Sequence, residues 1–233
     1  MNKQLIASGK KIVISISLVT MISACTVTQQ SSRLTIAKQW HFAAGGTVIQ
    51  SDGEFNRQKI FDPTGQTLHG DHASVFYQIP ENPRDYPLVF LHGAGQSAKT
   101  WGTTPDGREG FQNIFLRKGF PVYLVDQPRR GQAGQSTVAT ELTATTNDQA
   151  WFNMFRLGQY PNFFDGVQFS KNADALNQYF RQMTPNTGAY NEQIISDAMV
   201  EVLKRSGSSI LITHSQSGGP GWWAAIKSDH VKA

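Results

Sequence analysis

One stretch near the end of the chain decides the fold, and it reads Ser208-Ser209-Ile210-Leu211-Ile212-Thr213-His214-Ser215-Gln216-Ser217-Gly218-Gly219. Its run of β-branched and aliphatic residues predicts a buried strand. Small residues, Thr213 and Ser217, lie two positions to either side of Ser215, and two glycines follow. The pattern predicts a sharp strand-to-helix turn that lifts the Ser215 hydroxyl clear of the sheet, where crowded backbones require small flanking residues.

This turn is typical of a nucleophile elbow, in a variant form because Thr213 and Ser217 replace the usual glycines. Ser215 is the predicted nucleophile, since it lies three residues beyond Ile212, the last apolar residue of the strand. Ser217 is the alternative, because it also fits a small-x-Ser-x-small frame. A third interpretation is a serine-rich turn with no catalytic role. A serine hydroxyl is a poor nucleophile alone and needs a histidine base, an orienting acid and an oxyanion hole.

Two short all-apolar runs predict further strands that are buried on both faces, at 88–91 and 122–126. Between them, residues 110–118 predict a helix with Phe111, Ile114 and Phe115 on one face. Strand, helix and strand at this spacing indicate a βαβ unit and a parallel sheet. Residues 191–205 show apolar side chains every four positions and predict a helix more clearly than any other segment.

Five segments of this sequence resemble the α/β-hydrolase superfamily, and within it the bacterial esterase 713-like group. They are His92-Gly93-Ala94-Gly95, the segment from Thr100 to Arg108 that contains Thr104-Pro105-Asp106-Gly107-Arg108, Phe115 to Gly119, Val125-Asp126-Gln127, and Thr213 to Gly218. The resemblance runs from about residue 46 to residue 226. It implies an α/β fold with a three-layer, largely parallel sheet and a carboxylic-ester hydrolase that acts through an acyl-enzyme.

The resemblance also implies an oxyanion hole made by the backbone N–H groups of Gln216 and Ala94. His92 is expected to orient the turn after its strand, and His214 to be structural. Asp126 ends a strand at the same edge; the family gives an aspartate here a structural role, and a catalytic acid is the alternative. The adjacent Arg129 and Arg130 are expected to be solvated, with contact to an acidic substrate group as the alternative.

The remaining triad residues are expected beyond the sequence, because only eighteen residues follow Ser215. In the family the acid follows the next strand, and the histidine comes from a later loop. Asp229 and His230 are adjacent and lie a helix length of about 15 Å from Ser215, so they are excluded. Residues 231–233 resemble the opening of the next strand. The chain is therefore expected to be an N-terminal portion, truncated after the elbow helix and itself inactive.

An insertion over about 137–190 carries nine aromatic residues before its end at Tyr190: Trp151, Phe152, Phe155, Tyr160, Phe163, Phe164, Phe169, Tyr179 and Phe180. They predict either the core of a small helical subdomain or a cap that lines an apolar pocket. The expected domains are a signal peptide over 1–24, a tether over 25–44, and a partial α/β-hydrolase domain over 45–233 that contains the cap-like insertion.

The N-terminus has the pattern of a bacterial lipoprotein signal. Three lysines precede an apolar run over 12–22, whose eleven residues span about 16 Å as a helix, too short to cross a membrane. The run ends at Ile22-Ser23-Ala24-Cys25, which resembles a lipobox and implies lipidation of Cys25. The expected location is the periplasmic side of the envelope, at the outer membrane. An ordinary cleaved signal with an incidental cysteine is the alternative.

Composition narrows the function classes. Three of the 21 basic residues and none of the 17 acidic residues precede Cys25, so the remainder is almost neutral and a nucleic-acid partner has no support. The six histidines lack metal-ligand spacing and no nucleotide fingerprint occurs, so no metal or cofactor is expected. The predicted partners are a small-molecule ester and, through Cys25, a membrane. The alternative function is a non-catalytic lipoprotein that binds an apolar ligand or a protein partner. The oligomeric state stays open.

Overall fold

The computed structural model describes residues 33–233, so the predicted signal peptide, Cys25 and the start of the predicted tether lie outside the described residues. The strands and helices are β1 (Ile36–Ala44), β2 (Thr47–Gln50), β3 (Thr67–Gly70), β4 (Ala73–Pro80), β5 (Leu88–Leu91), α1 (Phe111–Arg117), β6 (Val122–Asp126), α2 (Asp148–Met154), β7 (Gly158–Gln159), β8 (Asn162–Phe163), α3 (Ala173–Arg181), α4 (Glu192–Ser206), β9 (Ile210–Thr213) and α5 (Gly218–Lys227). No helix among residues 33–233 has the length and hydropathy needed to span a bilayer.

The central sheet has the strand order β1-β4-β6-β5-β9. Strands β6, β5 and β9 are parallel, and β4 is antiparallel to both β1 and β6. Leu88 of β5 lies opposite Val122 on one side and Ile210 on the other. Strand β1 falls within residues 25–44, which the sequence analysis assigned to a tether, so the folded domain begins before residue 45.

Helices cover both faces of this sheet, which confirms the predicted three-layer α/β fold. Alternate residues of β5 point to opposite faces, as the pleat of a strand requires. Val89 and Leu91 pack in the core beneath α4 and α5, whereas Leu88 and Phe90 pack in the core that contains Leu116 of α1. All four side chains are buried, because the strand has a hydrophobic layer above and below it.

The segment after α5 pairs with β9 in the parallel direction. The N–H of Ser209 donates to the carbonyl of His230 at 2.8 Å, and the N–H of Lys232 donates to the carbonyl of Ser209 at 2.9 Å. Leu211 N–H then donates to the Ala233 carbonyl at 2.8 Å. Residues 231–233 therefore pair alongside β9, at the place where the sequence analysis expected the next strand to open.

The aromatic insertion forms α2, the short hairpin of β7 and β8, and α3. Phe152, Leu157 and Tyr179 are the buried centre of its own hydrophobic cluster. The Tyr179 hydroxyl donates to the carbonyl of Trp151 at 2.9 Å and joins α3 to α2. Part of the aromatic content therefore builds a small core, which was one of the two predicted roles.

Candidate active site

Ser215 occupies the turn between β9 and α5 with a φ of 56°, in the left-handed region that non-glycine residues seldom adopt. Its side chain is exposed, and it opens the short 3₁₀ turn Ser215–Ser217. A residue held in this conformation costs of order 1 kcal/mol or more, and such residues cluster at functional sites. The strand-to-helix turn predicted from the sequence is therefore present.

Ser217 has a different environment, because its side chain is fully buried. Its Oγ accepts a hydrogen bond from the N–H of His214 at 2.9 Å. The hydroxyl proton lies within reach of the carbonyl oxygens of Leu91 at 2.9 Å and His214 at 3.0 Å. These contacts engage the Ser217 hydroxyl within the turn, whereas the Ser215 hydroxyl faces solvent.

The turn after β5 lies against the elbow at Gly93. A Cβ atom built on Gly93 would lie 3.0 Å from the carbonyl oxygen of His214 and 3.2 Å from Cβ of Ser215, so a larger residue would push the two segments apart. The next residue is Ala94. Within residues 33–233, the backbone N–H groups of Ala94 and Gln216 donate no hydrogen bond, so both remain open to an acceptor.

His92 holds the turn after β5 in place. Its Nε2 accepts a hydrogen bond from the backbone N–H of Gln127 at 3.2 Å, so the ring proton sits on Nδ1 and donates to the Gly93 carbonyl at 3.0 Å. Burial lowers the pKa of His92 to about 3. The ring is therefore neutral, and the 3.7 Å separation between Nε2 and Asp126 Oδ1 is not an ion pair.

Asp126 is buried, and both of its carboxylate oxygens are engaged. Oδ1 accepts from the N–H of Ala98 at 2.6 Å, and Oδ2 accepts from the N–H of Gln132 at 2.9 Å. Burial raises the pKa of Asp126, and these hydrogen bonds act in the opposite direction. The carboxylate joins the two loops that follow β5 and β6, which is a structural arrangement.

Arg129 and Arg130 are both buried, so the expectation that they are solvated was wrong. The Arg129 guanidinium makes two hydrogen bonds to Asp71, at 2.7 and 2.8 Å, and lowers the pKa of Asp71 to about 2. Arg130 Nη1 donates to the carbonyl of Gly93 at 2.9 Å and to Oε1 of Gln216 at 3.3 Å. The sequence analysis considered Arg130 as solvated or as a contact for an acidic substrate group, and it did not predict these contacts with Gly93 and Gln216, because both partners lie far away in the chain.

The insertion contacts the same turn. A Cβ atom on Gly95, whose φ is 65°, would lie 2.6 Å from the Trp151 ring. The N–H of Thr184 donates to the carbonyl of Gly95 at 2.9 Å. Further along, the Tyr190 hydroxyl donates to the Gln216 carbonyl at 3.4 Å. The insertion therefore borders both the elbow and the turn that carries Ala94.

Asp229 and His230 are placed away from the candidate nucleophile. The carbonyl of His230 bonds to Ser209, just before β9 begins, whereas Ser215 follows the end of β9. The strand therefore separates the pair from Ser215, as the sequence analysis expected. No cluster of three or more metal-ligating side chains is found among residues 33–233.

Comparison with known proteins agrees with this architecture, although no model of a protein family matches the sequence. The chain is 33% identical over 157 residues to a probable secreted lipase, phiG, of Fungal sp. (strain ATCC 74256), across 62% of this chain and 42% of the lipase.

The structure is also similar to the atomic-resolution structure of a bacterial esterase, with a TM-score of 0.71 and 28% identity, over 84% of this chain and 66% of that chain. The chain thus spans less than two thirds of either relative. In its three-layer fold and these two likenesses, the chain is similar to an esterase and a lipase and has the α/β-hydrolase type of architecture.

Proposed function

We propose that this protein is a serine hydrolase of carboxylic esters and that Ser215 is its nucleophile. The observation that carries the proposal is the contrast between two neighbouring serines. Ser215 is exposed in a left-handed turn at the end of a parallel strand, whereas the Ser217 hydroxyl is buried and engaged. The esterase and lipase likenesses support hydrolysis of an ester bond.

In the proposed reaction, Ser215 Oγ attacks the carbonyl carbon of the ester. The new Oγ–C bond forms while the carbonyl oxygen becomes an oxyanion, which accepts hydrogen bonds from the N–H groups of Ala94 and Gln216. One such donor is worth about 3 kcal/mol in the transition state. The ester C–O bond then breaks, and the alcohol leaves with the proton that Ser215 gave up. Water attacks the acyl-enzyme and releases the acid.

The general base and its acid partner are proposed to come from outside residues 33–233. His92 is buried with both ring nitrogens engaged, and His214 precedes Ser215 directly in the chain. Asp126 is held by Ala98 and Gln132. By itself this segment would therefore be a very slow catalyst, because loss of triad partners costs several powers of ten in rate.

Export is part of the proposal and is supported by the likeness to a secreted lipase. We further propose that Cys25 carries a lipid that anchors the protein on the periplasmic side of the outer membrane. Incorporation of labelled palmitate in bacterial cells tests this anchor. The label should be present in the wild type and absent in Cys25→Ser, and equal labelling of the two would refute the anchor.

Acetylation by p-nitrophenyl acetate tests the nucleophile. The full chain is incubated with this ester, with and without imidazole, which takes the proposed role of the general base by accepting the serine proton. Mass spectrometry of peptides should find acetyl on Ser215 and faster labelling with imidazole. Ser215→Ala should remove the acetyl group, and Ser217→Ala should retain it.

The alternative function predicts a different result. A non-catalytic lipoprotein that binds an apolar ligand or a partner would show no Ser215-dependent acetylation, with or without imidazole. Equal labelling of wild type and Ser215→Ala would therefore overturn the esterase proposal. Labelling that Ser217→Ala abolishes, while Ser215→Ala leaves it intact, would move the nucleophile to Ser217.

A further inference from the structure

The Arg130 guanidinium is a buried cation that contacts only neutral acceptors. Its side chain hydrogen-bonds to Oδ1 of Asn186 through Nε at 2.6 Å and through Nη2, and to Gly93 and Gln216 through Nη1. Arg130 is 3% exposed, and within residues 33–233 no carboxylate oxygen lies within 4.0 Å of it. The neighbouring Arg129 is paired with Asp71. Asp126 attracts this charge electrostatically without a hydrogen bond to it. A buried charge without a hydrogen-bonded counterion is costly, so its surroundings point to a role in stabilising negative charge nearby.

The contact with Gly93 acts on the first proposed oxyanion donor. The Gly93 carbonyl and the Ala94 N–H belong to one trans peptide unit, in which the C=O and N–H bonds point in opposite directions. A hydrogen bond to the carbonyl oxygen therefore fixes the direction of the N–H group. It also polarises the peptide and makes the N–H a stronger donor. His92 Nδ1 donates to the same oxygen at 3.0 Å and adds to this effect.

The contact with Gln216 acts on the second donor. Arg130 holds the Gln216 side chain through Oε1, and Tyr190 holds its backbone carbonyl. The backbone N–H of the same residue is the other proposed oxyanion donor. One guanidinium therefore contacts both loops that carry the proposed oxyanion hole, at the Gly93–Ala94 peptide unit on one loop and at Gln216 on the other.

We propose that Arg130 is a positioning residue of the oxyanion hole. Arg130 fixes the orientation of the Ala94 and Gln216 N–H groups, and its positive charge makes the site more favourable for an anion. This inference rests on the proposed function. Arg130 acts through the Gly93–Ala94 peptide and through Gln216 and does not bind substrate itself, because its side chain is buried and each of its three nitrogens already donates a hydrogen bond within the protein. Replacement of Arg130 by an uncharged residue should therefore weaken the binding of an anion at Ser215 more than the binding of a neutral molecule.

Phenylboronic acid gives the required measurement on the full chain. An Oγ lone pair of Ser215 forms the Oγ–B bond, trigonal boron becomes a tetrahedral anion, and the hydroxyl proton passes to the buffer. Boron NMR reports this adduct, and titration gives its affinity. Benzamide, which stays neutral, measures binding to the same region without the anion.

Arg130→Met should weaken the boronate by about tenfold, less than the hundredfold or more that follows removal of a donor itself. Binding of benzamide should stay within roughly twofold. Arg130→Lys should recover part of the affinity, because the ammonium keeps the charge but cannot reach all three acceptors. Arg181→Met, which removes an exposed arginine of α3, is the matched control and should behave as the wild type.

Unchanged boronate affinity in a folded Arg130→Met protein would overturn the inference and leave the proposed function intact. If Arg130→Met does not fold, Arg130→Lys decides: a loss of about threefold supports the role, and an unchanged affinity overturns it. An adduct that Ser215→Ala does not abolish, or no adduct in the wild type, would refute the proposed function instead. Equal losses for boronate and benzamide would show a merely structural role and also overturn the inference.

Discussion

The hydroxyl of Ser217 lies 2.9 Å from the carbonyl oxygen of Leu91 and so joins the elbow turn to the end of β5. Two adjacent parallel strands, β5 and β9, are thereby held at the end where Ser215 and Ala94 lie. The elbow is fixed by a side chain of the turn itself, which leaves the Ser215 hydroxyl without a hydrogen bond to any of residues 33–233.

Ser217→Ala should lower the free energy of unfolding by about 1–3 kcal/mol, because it leaves the His214 N–H and the Leu91 carbonyl without this partner. Urea unfolding followed by circular dichroism measures the change. Ser97→Ala is the control, since Ser97 is half-buried without a side-chain capping bond, and should change stability by less than about 0.5 kcal/mol. Equal effects of the two substitutions would refute the structural role of Ser217.

Ser215→Gly and Ser215→Ala should differ in stability although both remove the hydroxyl. Glycine adopts the φ of 56° without strain, whereas alanine does not, so the glycine variant should be more stable by about 1 kcal/mol. Urea unfolding of the two proteins gives the difference, and both should lose acetylation. Equal stability would mean that the left-handed turn stores no strain at this position.

His92 should make stability depend on pH below neutrality. Its pKa falls from 6.5 to about 3 on burial, so the unfolded chain binds a proton between these values and the folded chain does not. Stability from this group is therefore complete above pH 6.5 and falls by about 1.4 kcal/mol per pH unit as the pH drops toward 3.

The His92→Asn variant isolates this contribution, because asparagine does not titrate and its amide can donate to Gly93. The stability advantage of the wild type over this variant should shrink by about 2 kcal/mol between pH 7 and pH 5. Urea unfolding at both pH values measures it. Parallel pH profiles for the two proteins would show that His92 is charged in the fold, contrary to its tautomer and burial.

The buried strands could be predicted from the sequence at their observed limits, because β5 and β6 are apolar runs with a hydrophobic layer on both faces. Strand β1 could not, since most of its residues are exposed at the sheet edge and no apolar run marks it. The predicted face of α1 is only partly buried: Phe115 packs against the core that contains Leu116, whereas Phe111 and Ile114 are exposed. Spacing alone does not show which side of a short helix meets the sheet.

Within the candidate site, local residues were predictable and long-range partners were not. The elbow and the turn at Ala94 each follow a strand directly, so the predicted end of the strand also predicts where the turn lies. Arg130 contacts Asn186 and Gln216, which lie 56 and 86 residues away, and no local pattern encodes those contacts. A pair of adjacent arginines in a loop is ordinarily solvated, and only the tertiary fold buries it.

Gly95→Ala should disturb the contact between the insertion and the turn that carries Ala94. A Cβ atom at Gly95 would meet the Trp151 ring at 2.6 Å and would also force alanine into a φ of 65°. Gly107→Ala is the matched control, because Gly107 has a φ of 86° with no atom within 4 Å of the added Cβ. It measures the backbone strain alone, about 1 kcal/mol.

Gly95→Ala should therefore cost more than Gly107→Ala in urea unfolding, and in a Trp151→Ala background its cost should fall to that of the control. Acetylation of Ser215 should slow in Gly95→Ala, because displacement of the turn moves the Ala94 N–H from the oxyanion. Equal costs for the two glycine substitutions would contradict the Trp151 contact. If acetylation slows equally in both, the effect arises from general destabilisation and not from movement of this turn.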